Sequence, residues 1–343
     1  MDKISLGCDM SKANFQAEIA LTGKEVKLGK FDNTPDGFNK LNQALTEHKT
    51  DDVTIHLIVE PTGTYHLAFV AYAYEQGWQV SLPNPKTIRD WAKGQGTRNK
   101  SDKVDARILA RYGMQENPSP EQPLPLEIDT LSRLLSRIDD LEHMIRQEKN
   151  RLEAEQQRPS VCKITLEDLK ASIRTLERRR DKIQRAIDKH VKEHDEIRQH
   201  HNRLLKVPGI GQKSVLPILV FLYRWDAHSC GTGDAKGLAA FAGLDPVEHS
   251  SGTSVFKRPR ISKMGDSSIR ATLFMCALGG VSAKDSPLVS FYKGLVGRNK
   301  SKKLALVAAG RKILTWAFGV FRSRKPFNPA LASPKPPRHA SAT

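Results

Sequence analysis

The sequence predicts an α/β domain followed by a mainly helical remainder (α/β plus α), and three observations carry that prediction. Over residues 1–117, short apolar runs of strand type alternate with helix-type spacing. A proline-rich break, Pro118–Pro125 (PSPEQPLP), is followed by two long stretches with apolar residues at steps of three and four. Charge is then lopsided: of 55 Lys+Arg and 38 Asp+Glu in 343 residues, residues 1–200 hold 32 of each, leaving 23 basic against 6 acidic in 201–343. That length gives room for two or three domains, and an apolar content of 38% is enough to build cores.

The elements follow in order. Lys3–Cys8 is an apolar strand, Ala13–Leu21 a second that ends in a Thr22-Gly23-Lys24 turn, and Val26–Phe31 completes a meander. Phe38–His48 has helical spacing through Phe38, Leu41 and Leu45. Val53–Val59 (VTIHLIV) is β-branched and nearly all apolar, the pattern of a buried central strand. Leu67–Glu75 predicts a helix, Trp78–Leu82 a strand, and Asp102–Tyr112 a helix with Val104, Ile108 and Leu109 on one side.

Residues 118–125 predict a linker. Leu131, Leu134, Ile138, Leu141 and Ile145 keep helical spacing up to about Gln157. Arg158-Pro159-Ser160 breaks it, and Leu166, Leu169, Ile173, Leu176, Ile183, Ile187 and Val191 resume it. Two long helices around a proline turn predict an antiparallel coiled-coil hairpin over 126–200, with a dimer contact as a further expectation; two solvent-bridging helices are the plainer alternative. Gly, small apolar residues and Arg/Lys interleave over 201–327, a compact and mostly helical region. The Pro/Ser/Ala-rich 328–343 is an expected disordered tail.

Several classes fall away. No stretch approaches ~20 consecutive apolar residues, so no membrane span is expected. The segment MDKISLGCDMSK lacks an apolar signal core, and Cys8, Cys162, Cys230 and Cys276 have no CxxC spacing. A reduced, cytoplasmic protein without disulfide framework or zinc site is expected. A basic half on a neutral half points to a polyanion, most commonly nucleic acid.

Three constellations carry chemistry. Asp9 ends the first strand, Glu60 ends the central strand before Pro61-Thr62-Gly63-Thr64, and Asp102 and Asp105 stand at i, i+3 at a helix start. Carboxylates at two strand ends plus a helical pair can surround one or two divalent ions, Mg²⁺ (or Mn²⁺), at a phosphodiester. Alternatively, they are ordinary turn and helix-start carboxylates. Lys12, Arg89, Lys93, Arg98, Lys100, Lys103 and Arg107 lie near three of them in sequence. Second, Lys206-Val207-Pro208-Gly209-Ile210-Gly211-Gln212-Lys213 resembles a helix-hairpin-helix element, in which Gly209 and Gly211 admit a phosphate and Lys206 and Lys213 flank it. Its plain alternative is an interhelical turn.

Third, Ser250-Ser251-Gly252-Thr253-Ser254 precedes Lys257, Arg258, Arg260 and Lys263, with Arg270 beyond. Such a hydroxyl-rich turn can bind phosphate or present a serine nucleophile assisted by cations. Neither a Gly-x-Ser-x-Gly elbow nor a Walker-type phosphate loop is present.

In order and spacing, these pieces resemble the DEDD-type insertion-sequence transposases, the insertion-sequence-110 type that includes the Piv-like DNA invertases. The N-terminal signature reads Leu6-Gly7-Cys8-Asp9-Met10-Ser11-Lys12, then Val59-Glu60-Pro61-Thr62-Gly63-Thr64-Tyr65, then Arg98-Asn99-Lys100-Ser101-Asp102-Lys103-Val104-Asp105-Ala106-Arg107. The C-terminal one reads Val207-Pro208-Gly209-Ile210-Gly211, Phe241-Ala242-Gly243-Leu244, Ser251-Gly252-Thr253-Ser254 and the run Arg260…Lys263…Gly265…Arg270. The resemblance runs from about Ile4 to Phe327.

The resemblance implies a RuvC-like (RNase H-like) N-terminal domain holding divalent metal on Asp9, Glu60, Asp102 and Asp105, a coiled-coil middle that builds dimers and tetramers on DNA, and a transposase domain. It implies that Ser251 attacks the DNA backbone to give a covalent intermediate. It also implies a noncoding bridge RNA that pairs with donor and target DNA, and bacterial cytoplasmic action at the nucleoid. Pro61 departs from the small residue usual there, and the neighbouring Ser250 competes with Ser251 by a one-residue slip. From the residues alone two other readings stand: a RuvC-like nuclease such as a junction resolvase, cutting with water and metal, and a non-enzymatic nucleic-acid scaffold.

Overall fold

The computed structural model describes residues 3–48, 53–61, 63–96, 102–251, 255–283 and 286–331, with the side chains of 102–104, 248–251, 255–259 and 331 outside that description. Most of the expected disordered tail, residues 332–343, also lies outside the described residues. The chain divides into two units: Met1–Pro123 with Asp226–Thr232, and Leu124–Trp225 with Gly233–Thr343.

In the first unit, β1 (Lys3–Met10), β2 (Asn14–Leu21) and β3 (Lys24–Asp32) form the predicted meander. Helix α1 (Pro35–Thr46) leads to β4 (Thr54–Val59), and α2 (Leu67–Glu75) leads to β5 (Gln79–Ser81). Helices α3 (Pro85–Gly94) and α4 (Asp102–Glu116) follow. The sheet order is β3-β2-β1-β4-β5, with β4 parallel to both β1 and β5. Helix α3 is absent from the sequence reading although its signals are ordinary: Pro85 opens it and the Asn84 side chain accepts from Lys86 N at 2.8 Å.

Strand alternation sorts the sheet into two faces. Ile4, Leu6, Cys8 and Met10 of β1 and Ile55, Leu57 and Val59 of β4 join Phe15, Phe38, Phe69 and Trp78 in one core. The opposite face carries Ile58 packed with Ile88, Ala92, Ile108 and Leu109, and there α4 lies at backbone contact. A Cβ on Gly7 would stand 2.2 Å from the Ala106 carbonyl oxygen and 2.3 Å from the Ala110 nitrogen. One on Gly113 would stand 2.2 Å from Ser5 Oγ and 2.4 Å from Ile58 Cγ1. Because the earlier turn of α4 meets Gly7 and the later one meets Ser5, the helix runs antiparallel to β1, with its first turn over the strand's C-terminal end.

The proline-rich 118–123 has no regular structure yet is tied down: Glu121 N donates to Val80 O at 2.7 Å and Ser81 Oγ to Ser119 O at 2.9 Å. The later segment Asp226–Thr232 fastens onto it, with Gln122 N donating to Ala227 O at 3.0 Å and Cys230 Sγ to Pro120 O at 2.9 Å.

The second unit begins with α5 (Leu126–Gln156) and α6 (Lys163–Glu193), the predicted helical pair. They are antiparallel: Lys149 pairs with Glu177 at 2.8 Å and His190 Nε2 donates to Glu127 O at 2.8 Å, around Leu141, Ile145 and Leu176. The helical pattern does not run unbroken to residue 200. His194 is extended (φ −111°, ψ 100°) and separates α6 from α7 (Asp195–Leu204). There follow α8 (Gln212–His228), whose last residues from Asp226 belong to the first unit, α9 (Ala235–Phe241), β6 (Pro246–Ser251), β7 (Val255–Ile261), α10 (Ser267–Ser282), α11 (Pro287–Gly297) and α12 (Lys302–Ser323).

The mixed first part and mainly helical later part match the predicted class; the β6–β7 ribbon is an addition to it. Helix α12, 22 residues, is long and apolar enough to cross a membrane. Leu306, Ala309, Ile313, Leu314, Ala317, Phe318, Val320 and Phe321 of this helix are buried in the unit's core, so its apolarity serves packing.

Candidate functional site

Two regions carry the sequence-derived site residues, one in each unit. In the first, Cys8 of β1 lies opposite Val59 of the parallel β4, so Asp9 and Glu60 follow side by side at the C-terminal ends of adjacent strands. Alternation puts Asp9 on the same face as Ser5 and Gly7, and Glu60 on the same face as Ile58, which is the α4 face. Asp105 immediately precedes Ala106, the residue that meets Gly7. The rise of ~3.3 Å per strand residue and 1.5 Å per helix residue sets Asp105 close to the level of Asp9. The backbone thus brings Asp9, Glu60 and Asp105 to one sheet end; all three are half-buried. The side chain of Asp102, in the same helical turn, lies outside the described residues. Among the described residues no three His, Cys, Asp or Glu side chains stand within metal-binding range of one another.

Burial and the adjacent Asp9 carboxylate push the Cys8 thiol well above its ordinary range, so this cysteine is an inert core residue. The basic neighbours divide. Arg107 pairs with Glu25 at 2.6 Å and Glu18 at 3.8 Å, and Arg111 pairs with Glu25 at 2.9 Å, so the Arg107 guanidinium is engaged inside the unit. Burial raises the Glu18 carboxyl, against the opposing pull of Arg107. Arg89 Nε donates to Pro85 O at 3.1 Å, and Lys93 lies 3.9 Å from Asp90. Lys12 is exposed. Arg98 and Lys100, and the side chain of Lys103, are outside the described residues.

In the second unit, the Lys206–Lys213 stretch does form a turn between two helices, α7 and α8. Its two glycines differ. Gly209 (φ +91°) faces inward: a Cβ would stand 2.6 Å from Cys276 O and 3.0 Å from Ile313 Cδ1, so this glycine lets α10 and α12 approach the turn. Gly211 is open, exposed with Lys206, Gln212 and Lys213 around the first turn of α8.

Ser251 is the last residue of β6, and its backbone pairs with Val255 of β7. Residues 252–254 and the side chains of Ser250, Ser251, Lys257 and Arg258 lie outside the described residues. The ladder shifts register between Val247 and His249, opposite a β7 segment that contains Pro259, which donates no strand hydrogen bond. Arg260 and Lys263 are exposed, and Lys263 has φ +57°. Arg270 is different: its Nη1 donates to Ala242 O at 3.0 Å and Gly265 O at 2.8 Å. Sequence reasoning missed Asp245 and Ser262, whose side chains hydrogen-bond across the root of the ribbon. Their separation of 17 residues carries no local signal.

Comparison with known proteins identifies the family. The DEDD-type transposase family model, described as "Transposase", matches residues 6–155. The one described as "Transposase IS116/IS110/IS902 family" matches residues 201–293. The chain is 31% identical over 328 residues to the pilin gene-inverting protein of Moraxella bovis, covering 96% of this chain and 98% of that protein. The counterpart from Moraxella lacunata matches to the same extent. A probable family 20 transposase of Pseudomonas aeruginosa is 31% identical over 156 residues, 44% of each chain. Matches to both family models, together with nearly full-length relatives, place the chain in the IS110-type transposase family that includes the Piv-like invertases, and make it a DNA-recombining enzyme.

Proposed function

We propose that this enzyme cuts and rejoins DNA through a covalent bond to Ser251, assisted by a divalent ion on Asp9, Glu60, Asp102 and Asp105. The observation that carries the metal half is the backbone juxtaposition of three carboxylates: β1 and β4 side by side, with α4 laid on Gly7. The donor set fits the ion. Carboxylates alone are hard oxygen ligands, suited to Mg²⁺ or Mn²⁺ rather than to zinc, and a DEDD family implies a divalent metal. Such an ion supplies charge neutralisation at a phosphodiester.

The protein's own residues do the rest. Ser251 Oγ attacks phosphorus, an Oγ–P bond forms, and the bond from phosphorus to one deoxyribose oxygen breaks; that oxygen leaves as a hydroxyl carrying the serine proton. A hydroxyl of the incoming strand reverses the step on the same phosphorus and frees the serine, so no bond energy is lost to water. Lys206 and Gly211 in the turn between α7 and α8 and Lys213 in the first turn of α8, with Lys257, Arg258, Arg260 and Lys263 along and after β7, hold the phosphates of donor and target DNA.

In this reading 1–117 is a RuvC-like domain, 118–125 a connector, 126–200 a coiled coil through which copies assemble as dimers and as tetramers on DNA, and 201–327 the transposase domain. A noncoding bridge RNA selects the DNA by base pairing, in the bacterial cytoplasm at the nucleoid.

The test places the native locus with its flanking noncoding DNA on a supercoiled plasmid and adds the protein with Mg²⁺. A detergent-resistant, protease-sensitive adduct that maps to Ser251 is the expected result. Cleavage without an adduct would instead identify a RuvC-like hydrolytic nuclease of junction-resolvase type, with Ser251 only binding phosphate.

A further inference from the structure

We propose that Arg270 is a positioning residue that locks together the two ends of the β6–β7 ribbon and so fixes where Ser251 stands. The ribbon has two strands and, among the described residues, no third. A lone pair of strands is marginal by itself, so its orientation must be set where it joins the rest of the unit.

The joint is unusually well tied. Before β6, Gly243 (φ +67°) and Leu244 close α9 by donating to Ala240 O and Ala239 O, each at 2.8 Å. After β7, Ser262 N donates to Asp245 O at 2.9 Å and Lys263 N to Gly243 O at 3.2 Å, while the Ser262 hydroxyl donates to the Asp245 carboxylate. The two backbones touch at Gly265, where a Cβ would stand 2.2 Å from Phe241 O and 2.9 Å from Gly243 N.

Arg270 reaches both sides of this joint from the first turns of α10. Its Nη1 serves Ala242 O, on the chain entering the ribbon, and Gly265 O, on the chain leaving it. A cation between two carbonyls from opposite sides forms charge-assisted bonds that a neutral side chain cannot supply. A Cβ on Gly243 would sit 2.9 Å from the same Nη1, so glycine there keeps the guanidinium's place open.

Leverage explains why this matters. From Pro246 to Ser251 the ribbon extends ~17 Å, so turning its root by about 5° moves its tip by ~1.5 Å, and a misplacement of ~1 Å can cost ~100-fold in rate. The inference rests on Ser251 as nucleophile only for that effect on rate; the anchoring itself is independent of it.

The test compares wild type, Arg270→Met and Arg270→Lys in the full-length protein by amide hydrogen exchange, DNA affinity across a salt series, and plasmid strand exchange. In Arg270→Met, the Ser262 and Lys263 amides should exchange at least ~10-fold faster while those of α8 keep their rate. Strand exchange should fall by about 100-fold, and DNA affinity and its salt slope should hold within about twofold. Arg270→Lys, with a point charge in place of a fork, should fall between.

Unchanged exchange at these two amides would overturn the proposal, and a salt slope shallower by about one would assign Arg270 to a phosphate instead. If Arg270→Met does not fold, Arg270→Lys keeps the charge without the planar guanidinium and should still speed exchange at the Lys263 amide; no change there also overturns the proposal. Strand exchange surviving in Ser251→Ala would remove the nucleophile reading, while the amide measurement would still report on Arg270.

Discussion

At the residue scale, one oxygen separates two ways of cutting DNA. In the proposed route, Ser251→Ala removes the one atom that nothing else can replace, whereas Asp9→Ala removes a proposed metal ligand. Both should lower plasmid strand exchange by at least ~10³-fold, but only Ser251→Ala takes away the bonding atom. Adduct recovered from purified Ser251→Ala protein would therefore defeat the assignment outright.

A second residue reports on stability. His56 is fully buried in β4, its Nε2 2.7 Å from Ser81 Oγ. Burial, with nearby Lys3, lowers its pKa to about 4. Between pH 6.5 and 4 the unfolded chain therefore binds a proton that the folded ring refuses. Its contribution is present above pH 6.5 and lost as pH falls toward 4. From pH 7 to pH 4.5 the wild type should lose about 2 kcal/mol more than His56→Gln, read from urea unfolding.

At the scale of elements, the strands and long helices were legible because their signals are local: β-branched runs, heptad steps, and a proline between α5 and α6. The elements that were not legible lack such signals or depend on distant partners. His194 breaks a helix without proline or glycine, and the β6–β7 ribbon sits in a stretch whose composition reads as helical and loop-like. The candidate site was legible as residue types at strand ends and a helix start, but not as an assembly. What assembles it is Gly7, a small residue among Ile4, Leu6 and Cys8 on which α4 rests.

Gly7→Ala is accordingly a test of an element rather than of a residue. Its methyl meets the α4 backbone at two points, 2.2 Å from Ala106 O and 2.3 Å from Ala110 N, where no flexible side chain can give way. Helix α4 must lift, at a cost of about 2–3 kcal/mol, and Asp105 moves with it. Thermal unfolding should shift down, and titration of the folded variant with Mn²⁺, followed by its paramagnetic signal, should show weaker binding than wild type. Unaltered Mn²⁺ affinity alongside a lowered melting temperature would separate α4 packing from the metal site.

At the scale of the whole molecule, charge and connectivity follow different boundaries. The surplus of basic residues begins near residue 200, yet a short piece beyond that point, Asp226–Thr232, belongs to the first unit. Composition could not reveal this, because the piece is fastened by contacts more than 100 residues apart in sequence. Glu121 pairs with His228 at 3.0 Å, Gln122 N donates to Ala227 O, and Cys230 Sγ donates to Pro120 O. A fragment cut at the obvious proline-rich boundary, residues 1–123, therefore leaves three acceptors and donors of its last segment without partners. With each such bond contributing about 0.5–1.5 kcal/mol net, the fragment should unfold about 2 kcal/mol more easily than the same fragment carrying residues 226–232 on a Gly/Ser linker. Urea unfolding of the two decides it: equal midpoints would mean that the segment is merely laid against the first unit, and a higher midpoint for the linked form that the unit is incomplete without it.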